Sequence, residues 1–429
     1  MVKLNCELHA GAAQVDITPE IGISLTGYIA REGKSIGVHD PLYATTLVLS
    51  DNHKLAAIIS CDLVALDEPF VRSTREKIQS ATGIPSGNIM IACTHTHSGP
   101  ATIYLQDCGE VDQNYMAFLQ GKIVEGVQNA LAGLQPVRIG VAQGTHTQGV
   151  IDRRNPGAPI DPEVGVIYIC DPERNPVAVM VNYACHPVVL TADNLLISAD
   201  YPGSVKNAIQ QKLGSPVLFL TGAAGNTDPI QRRNFQFARE LGEALATEAL
   251  QLLDSITPSL EIPWNVQSQL INLPLYHAPT SSDLNRLVAL YNKNRIEAEQ
   301  EGQQLKAKME QAMSGWADRI LDQLQRGMIM DYVPAEIQVF CLGNAVISGI
   351  PGELFSTLGR AIKSGAGKKQ VFISSCTNGN VGYIPARDAY AQGGYEIDEA
   401  YKYYGYPAAI TPEAGEQIVN SALSLIKSC

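Results

Sequence analysis

Apolar residues recur along this chain with two spacings, and each spacing predicts one kind of secondary structure. Short continuous apolar runs rich in Val and Ile predict strands that are covered on both faces. The predicted strands are Ala44–Ser50, Leu55–Cys61, Asn88–Cys93, Val137–Ala142, Val164–Cys170, Val177–Tyr183, Pro216–Leu220, Val266–Leu273, Glu336–Cys341, Ala345–Ser348 and Val371–Ser375. An apolar residue at every third or fourth position predicts helices instead. The predicted helices are Pro69–Ala81, Asn114–Ala132, Tyr201–Lys212, Phe235–Leu253, Ser282–Gln325, Leu354–Ser364 and Pro412–Ile426.

Strands and helices alternate through much of the chain, which is the pattern of an α/β protein. We therefore predict a mixed, largely buried β-sheet that is flanked by helices. No internal repeat and no low-complexity linker interrupts this alternation in the sequence. We expect one large domain, residues 1–429, rather than two smaller ones.

The segment 282–325 departs from the rest because it is long, charged and rich in Gln. Trp316, Ile320 and Leu324 give it an intermittent apolar face, so we predict one or two long helices inserted between sheet strands. Such an insertion could cover an active site or form the interface of a homo-oligomer. A solvated helical hairpin without a function of its own is the default interpretation.

The net charge and the hydropathy of the chain argue against two classes of function, nucleic-acid binding and membrane insertion. The formal net charge is −12 and the pI is about 5.2, whereas nucleic-acid-binding proteins usually carry a basic patch. We therefore expect no nucleic-acid partner, although a small local cationic pocket is compatible with this balance. No apolar stretch approaches the ~20 residues that span a bilayer, so we expect no transmembrane segment.

The amino-terminal residues and the cysteines indicate the cellular compartment of the protein. Residues Met1 to Ala10 contain Lys3 and Glu7 and no long apolar run, which is unlike a secretory signal. The nine cysteines form no Cys-x-x-Cys pair, and several lie inside strand-like runs. We predict buried, reduced thiols in a cytoplasmic protein.

The most informative chemistry follows the strand predicted to end at Cys93. The chain continues Thr94-His95-Thr96-His97-Ser98-Gly99-Pro100, and two of only eight histidines lie here, one residue apart. In α/β proteins ligands bind at the carboxyl ends of strands, and His is the commonest metal ligand. Residues i and i+2 of a strand share a face, so we expect both imidazoles on the same side.

Three further segments share this design of an apolar strand that runs into polar residues with Gly or Pro. They are Val181-Asn182-Tyr183-Ala184-Cys185-His186-Pro187, Ser348-Gly349-Ile350-Pro351-Gly352-Glu353 and Gly379-Asn380-Val381-Gly382-Tyr383-Ile384-Pro385. Catalytic zinc sites commonly use three protein ligands and keep one position for water. His95, His186 and Glu353 would supply two imidazoles and a carboxylate from three strand ends.

Together with the opening Gly11-Ala12-Ala13-Gln14-Val15-Asp16-Ile17-Thr18-Pro19, these motifs resemble the neutral/alkaline non-lysosomal ceramidase family, specifically its catalytic amino-terminal domain. The run from Thr94 to Pro100 is the most specific element. The resemblance extends through Gly37-Val38-His39-Asp40-Pro41 to Tyr395-Glu396, and so covers essentially the whole chain.

The resemblance implies a zinc-dependent hydrolase that cleaves a carbon–nitrogen amide bond through metal-activated water. It implies one Zn²⁺ per chain, with the ligands His95, His186, Glu353 and Tyr383. It implies that His97, Tyr395 and Arg153 contact the substrate amide or the developing oxyanion, with Arg154 as a second match for Arg153. The expected substrate is a small-molecule amide, including N-acyl lipids.

The chain departs from the family in the segment Gly222-Ala223-Ala224-Gly225-Asn226-Thr227-Asp228-Pro229. Asp228 falls where the family carries a Ser with an assigned catalytic role. A carboxylate can act as a general base or pass a proton to the leaving amine, but it changes the local charge. Cleavage of ceramide itself is therefore in doubt. We also expect no carboxyl-terminal immunoglobulin-like domain, and we leave open a second ion, Mg²⁺ or Ca²⁺, near Asp62.

Other functions stay open at this point. An esterase could use the same residues. A cysteine hydrolase could use Cys93 or Cys185, although Cys185 should face away from His186 because neighbouring strand residues point to opposite faces. A non-catalytic, degenerate family member that contains zinc and binds a lipid or amide is supported mainly by Asp228.

Overall fold

The computed structural model describes residues 8–51, 53–260 and 262–429. The strands within these ranges are β1 (His9–Asp16), β2 (Gly37–Val38), β3 (Tyr43–Ser50), β4 (Leu55–Cys61), β5 (Ile89–Cys93), β6 (Gln135–Pro136), β7 (Arg138–Thr145), β8 (Val150–Asp152), β9 (Glu163–Cys170), β10 (Pro176–Tyr183), β11 (Leu196–Ile197), β12 (Val217–Thr221), β13 (Thr227–Pro229), β14 (Trp264–Pro274), β15 (Tyr332–Leu342), β16 (Ala345–Gly349), β17 (Glu353–Leu354), β18 (Gln370–Ser374) and β19 (Tyr383–Ile384).

The α-helices of the same ranges are α1 (Glu68–Thr82), α2 (Gln113–Ala132), α3 (Asp200–Leu213), α4 (Phe235–Ser255), α5 (Ser281–Gln300), α6 (Gln304–Gln325), α7 (Ser356–Gly365), α8 (Arg387–Tyr390), α9 (Ala400–Tyr403) and α10 (Glu413–Lys427). A 3₁₀ turn covers Ser86–Asn88, and a short π-helix covers Tyr395–Glu399. Residues 1–7 lie outside the described ranges. They belong to the segment Met1 to Ala10, whose composition is unlike a secretory signal.

Three main sheets are built by one repeated topology. Their strand orders are β5-β4-β3-β1-β6, β12-β10-β9-β7 and β14-β15-β16-β18. In each sheet an antiparallel pair is followed by a helix and a strand parallel to the second member of that pair. The units are β3-β4-α1-β5, β9-β10-α3-β12 and β15-β16-α7-β18. The predicted mixed α/β class is confirmed, with three sheets in place of a single one.

The carboxyl ends of these units are tied to one another by hydrogen bonds between the sheets. The Ser375 amide donates to the Thr221 carbonyl at 2.8 Å, and the Asn378 amide donates to the Ile91 carbonyl at 2.8 Å. The Thr221 hydroxyl donates to the Thr94 carbonyl at 2.7 Å. Because these residues lie in or directly after β5, β12 and β18, the fold brings the polar segments that follow these strands close together.

Local sequence signals explain where α1 begins and ends. The Asp67 carboxylate accepts the Phe70 amide and caps the first turn, and Pro69 follows where its missing N–H costs nothing. The helix ends at Gly83, whose φ of +77° is the left-handed conformation that glycine adopts without strain. The predicted helix Pro69–Ala81 is thus one residue short at each end.

The insertion 282–325 consists of two helices, α5 and α6, which form an antiparallel hairpin. The Thr280 hydroxyl and the Asp283 carboxylate build a reciprocal capping box at its start. Trp316 is 1% exposed, and its indole N–H donates to the Tyr406 carbonyl at 2.8 Å. This contact fixes the hairpin to the segment that follows α9. Its role in an oligomer stays a prediction.

The cysteines differ from the prediction of uniformly reduced thiols. Cys341 of β15 and Cys429 form a disulfide, so the prediction is wrong for these two. The remaining described cysteines are free and buried; they are Cys61, Cys93, Cys108, Cys170, Cys185 and Cys376. Among the helices in the described ranges, none combines the length and the apolar character needed to cross a membrane.

Candidate metal centre and its cavity

Three imidazoles and one carboxylate meet at a buried point. The Nε2 atoms of His95 and His186 lie 2.9 Å apart, and His97 Nε2 lies 3.4 Å from His95 Nε2. Glu353 Oε2 lies 3.4 Å from His95 Nε2 and 3.6 Å from His186 Nε2. Zinc binds N and O ligands at about 2.0–2.2 Å, so ligands in a tetrahedral site lie about 3.3 Å from one another. The observed spacings match that requirement.

Each ligand candidate comes from a different unit of the fold. His95 lies two residues after β5, His186 follows β10, and Glu353 begins β17, soon after β16. The Glu353 strand pairs in parallel with β19, which brings Tyr383 opposite Glu353 in the register.

The pair His95 and His97 converges for a different reason from the one predicted. The strand ends at Cys93, so the two residues do not share a strand face. His95 instead has a φ of +69°, which is uncommon for a residue with a side chain. Its amide donates to the Leu63 carbonyl at 2.8 Å, and this turn directs both rings to the same point. Backbone strain of this kind is concentrated at functional sites.

The ring tautomers follow from the hydrogen bonds of the Nδ1 atoms. His95 Nδ1 lies 2.6 Å from the Val64 carbonyl, and His186 Nδ1 lies 3.2 Å from the Ala224 carbonyl. His97 Nδ1 lies 3.2 Å from the Gly27 carbonyl. Because a carbonyl oxygen only accepts, we assign the proton to Nδ1 in each neutral ring, which leaves Nε2 with a lone pair. The Nε2 atoms of His97 and His186 can therefore bind a metal or accept a proton. For His97 this favours a proton acceptor or ligand over the predicted oxyanion donor. Burial lowers the pKa of His95, but the neighbouring Cys376 and Glu353 outweigh it and raise this pKa well above its ordinary value, so this ring carries a proton that a bound cation would displace.

The Glu353 carboxylate gives the clearest sign that these residues fit a cation. Its Oε1 accepts a hydrogen bond from the Tyr404 hydroxyl. Its Oε2 is buried and has no hydrogen-bond partner in the described part of the chain. Leaving a buried carboxylate oxygen without a hydrogen bond is costly, and this atom faces the Nε2 atoms of His95 and His186. A zinc ion held by His95, His186 and Glu353 would satisfy all three groups at once.

Electrostatics keep two of these groups in the protonation states that bind a metal. Burial raises the pKa of the Glu353 carboxyl, but the facing His95 and His186 outweigh it and bring this pKa to about 2. Burial, followed by the neighbouring His95, lowers the pKa of His186 to about 3. At neutral pH the carboxylate is therefore an anion and the His186 ring is neutral, as metal ligation requires.

Tyr383 and Tyr395, predicted as a ligand and a substrate contact, both lie in the cavity beside this cluster. The Tyr383 ring packs edge-on against Tyr395, with ring centres 5.8 Å apart, and the Arg153 guanidinium lies 5.2 Å from its centre. The direct hydroxyl contact to Glu353 comes from Tyr404, which the sequence did not single out. A tyrosine-rich run around it was its only sequence signal. Ligation by Tyr383 stays a prediction.

The structure brings Arg153 and Asp228 together as predicted, but in an ion-pair network. Arg153 Nη1 lies 3.4 Å from Asp228 Oδ1, while Asp228 Oδ2 accepts from Arg232. Arg153 Nε also donates to Glu396 at 2.8 Å. Both oxygens of Asp228 therefore face permanently charged guanidinium groups. This arrangement favours Asp228 as an anchor for arginines over its predicted role as a proton shuttle.

A cavity of about 270 Å³ opens onto the cluster. Its walls include His95, His97, His186 and Glu353, and they also contain Arg153, Asp228, Arg232, Tyr383 and Tyr395. Met309 of α6 lines it too, so the helical insertion contributes to the cavity wall. The four predicted metal ligands and the predicted catalytic residues His97, Arg153, Asp228 and Tyr395 thus border one cavity.

Two other sequence hypotheses fare differently. The position near Asp62 holds an ammonium group of the chain, because Lys206 Nζ lies 2.5 Å from Asp62 Oδ1 and also contacts Oδ2. This argues against a second Mg²⁺ or Ca²⁺ at that carboxylate.

Burial raises the pKa of the Cys93 and Cys185 thiols well above the usual range. Both thiols are buried and neither lines the cavity beside the imidazoles, which argues against the cysteine hydrolase.

Tyr404→Phe is expected to weaken zinc binding about 10- to 100-fold, the usual effect of losing a partner that orients a ligand. The substitution leaves Glu353 Oε1 without its donor while the ring still packs. Competition with a chromophoric chelator measures the affinity. Tyr406→Phe, which changes a neighbouring ring without touching Glu353, is the matched control. Equal zinc affinities in Tyr404→Phe and the parent chain would refute an orienting role.

The fold and the buried cluster define an α/β protein with a candidate metal centre at the meeting point of three sheets. A profile described as neutral/alkaline non-lysosomal ceramidase, N-terminal, matches residues 8–217. Neutral ceramidase of Pseudomonas aeruginosa is 26% identical over 245 residues, which cover 51% of this chain and 36% of that protein. Neutral ceramidase of Oryza sativa subsp. japonica is 24% identical over 262 residues, which cover 54% and 33%, respectively.

A solved structure extends the likeness of fold over the whole chain. The crystal structure of neutral ceramidase from Pseudomonas aeruginosa has a TM-score of 0.75 at 19% identity and covers 99% of this chain and 75% of that one. Residues 8–217, about half of the chain, match the neutral/alkaline non-lysosomal ceramidase family, and the resemblance indicated by the motifs is confirmed. The matched sequence spans about a third of the length of these curated relatives.

Proposed function

We propose that this chain is a zinc-dependent hydrolase that uses water to cleave the carbon–nitrogen bond of an amide. The observation that carries the proposal is the buried Oε2 of Glu353, which has no hydrogen-bond partner among the described residues and faces the Nε2 atoms of His95 and His186. Similarity to relatives that are named neutral ceramidases supports amide hydrolysis. One zinc ion per chain is part of the proposal.

Zinc in such a site supplies Lewis acidity and lowers the pKa of water to about 7. His97 offers a Nε2 lone pair within 3.4 Å of His95 Nε2, so it is placed to take a proton from the attacking water. The same ring can then deliver that proton to the leaving amine. Burial, reinforced by the neighbouring His95, lowers the pKa of His97, and so the ring rests in its neutral, proton-accepting form.

The charge that develops on the substrate oxygen needs donors, and the cavity offers several. Arg153 and Tyr395 keep their predicted roles in this proposal, because both line the cavity beside Tyr383. Arg153 Nη2 is buried and has no hydrogen-bond partner in the described ranges, so it is available to an oxyanion. Removing one such donor typically costs ~10²–10³ in rate.

The substrate is an open part of the proposal. Ceramide is doubtful because Asp228, held between two arginines, replaces the family's serine. A smaller amide fits a cavity of about 270 Å³ better than a molecule with two long hydrocarbon chains. The single-domain organisation and the cytoplasmic location also stay predictions.

The test is metal analysis coupled to hydrolysis of an amide panel graded by acyl length, with a matched ester for each amide. We expect about one zinc per chain, loss of activity on chelation and its return with added zinc. Activity should survive thiol alkylation. Faster cleavage of the esters throughout would favour the esterase. Saturable amide binding without turnover in zinc-loaded protein would favour the non-catalytic alternative and overturn the proposal.

A further inference from the structure

The cavity next to the metal centre is rich in arginine, although the chain as a whole carries a net charge of −12. Arg153 and Arg232 line this cavity. Arg31 donates to the backbone carbonyl of His97 at 2.7 Å. Arg154 and Arg153 both donate to the Glu396 carboxylate. Four guanidinium groups are thus concentrated at one site of an acidic protein.

The nearby carboxylates pair with three of these four guanidinium groups. Asp228 pairs with Arg153 and Arg232, and Glu396 pairs with Arg153 and Arg154. Arg31 is buried and donates only to the carbonyls of Thr26, His97 and Asn194 among the described residues. Burial lowers its pKa to about 10, which still leaves it charged at neutral pH.

The next two acids are already satisfied by other donors. Asp152 accepts from backbone amides and from the side chain of Asn226, and Asp200 accepts from two backbone amides. Glu353 faces the metal centre, where a divalent cation would exceed its single charge. All these carboxylates keep their negative charge, so the guanidinium nitrogens that line the cavity, and not a net charge, are the groups that would bind an anionic ligand.

Arg232 is the guanidinium best placed to meet such a ligand. Its side chain is 35% exposed, against 22% for Arg153 and 13% for Arg154. Its Nη2 contacts Asp228 and its Nε donates to the Pro229 carbonyl at 3.3 Å, so its Nη1 is the nitrogen left to bind a further acceptor. A planar guanidinium fits a carboxylate particularly well.

The remainder of the cavity is apolar and small. Ile29, Val64, Leu105, Cys108 and Tyr403 line it and belong to one hydrophobic cluster. The cavity has a volume of about 270 Å³. That volume suits an acyl chain of a few carbons together with a small polar group.

We propose that the substrates are short-chain N-acyl amino acids, with the carboxylate bound by Arg232 and the acyl chain packed on the apolar cluster. This inference rests on the proposed function. Water adds a C–O bond at the amide carbon as the C–N bond breaks, and the released amine nitrogen takes up the proton. The products are a short carboxylic acid and a free amino acid.

The test uses a matched pair of amides, N-butanoylglycine and N-butanoylethanolamine, which differ in having a carboxylate or a neutral hydroxymethyl group. A hydrogen bond to a charged group contributes about 1.5–3 kcal/mol, so we expect kcat/KM about 10- to 100-fold higher for the acid, mainly through KM. In Arg232→Gln this acid-to-neutral ratio should fall close to one. Arg232→Lys, which keeps a positive charge, should restore part of it.

Arg239→Gln is the control variant, because that side chain is 63% exposed and does not line this cavity. It should retain the full ratio. Unfolding temperature and zinc content show whether each variant is folded and loaded. Equal or faster cleavage of the neutral amide by the parent chain overturns this inference and leaves the proposed hydrolase standing. Cleavage of neither amide, nor of any other in the panel, overturns the hydrolase as well.

Discussion

Replacing His186 by alanine is expected to abolish both the bound zinc and the hydrolysis of every amide in the panel. The His186 ring supplies a neutral Nε2 at 2.9 Å from His95 Nε2, and alanine offers no atom that can bind a metal there. The loss of activity should exceed the ~10²–10³ caused by removing an oxyanion donor, because the activated water is lost with the metal.

Metal content by plasma emission spectrometry and kcat/KM on the best amide together test this expectation. His277→Ala is the control, because it removes an imidazole from an exposed position. It should keep full zinc content and activity. Normal zinc content in His186→Ala would remove this residue from the metal centre, whatever the activity of the variant.

Replacing Lys206 by methionine is expected to lower the free energy of unfolding by about 3–5 kcal/mol, the usual cost of leaving one member of a buried ion pair unpaired. Asp62 is fully buried, and the Lys206 side chain is 4% exposed. The Tyr43 amide, at 2.9 Å from Asp62 Oδ2, would remain as a partner but carries no charge. Urea denaturation at pH 7 measures the change.

The pH dependence of that variant provides an internal check. Burial already raises the pKa of Asp62, although Lys206 opposes the rise, so losing Lys206 should raise it further. An acid whose folded pKa exceeds its unfolded value favours the folded state when protonated. The stability deficit of Lys206→Met should therefore shrink as the pH falls through the folded pKa of Asp62. The double variant Asp62→Asn/Lys206→Met should recover most of the loss. An undiminished deficit in the double variant would contradict a charge-based cost.

Local signals predicted the elements well. The run Leu55–Cys61 has the same bounds in sequence and structure, because a continuous apolar block ends there at Asp62. Strand β1 could not be predicted, because its residues His9–Asp16 are mostly Ala, Gly and polar and show no apolar period. Ligand candidates such as His95 and Glu353 were placed by motifs and by the family resemblance, not by any period.

Contacts between residues that are far apart in the sequence could not be predicted. Tyr404 and Glu353 are 51 positions apart, and their contact depends on how the segment after the π-helix folds over β17. The pairing of Cys341 with Cys429 likewise depends on where α10 packs. The arrangement in three sheets could not be predicted, because the three units share one topology but have no sequence repeat that would indicate it.

The repeated topology has a thermodynamic consequence. Each of the three units contributes one ligand candidate: His95 follows the first, His186 lies within the second and Glu353 within the third. His95 and His186 alone are separated by 91 positions in sequence. No single unit can form the site, so an ion that binds there binds only the assembled chain. Its binding free energy then adds to the free energy of unfolding. Zinc would hold the three units together, and midpoint temperature should rise with free zinc concentration.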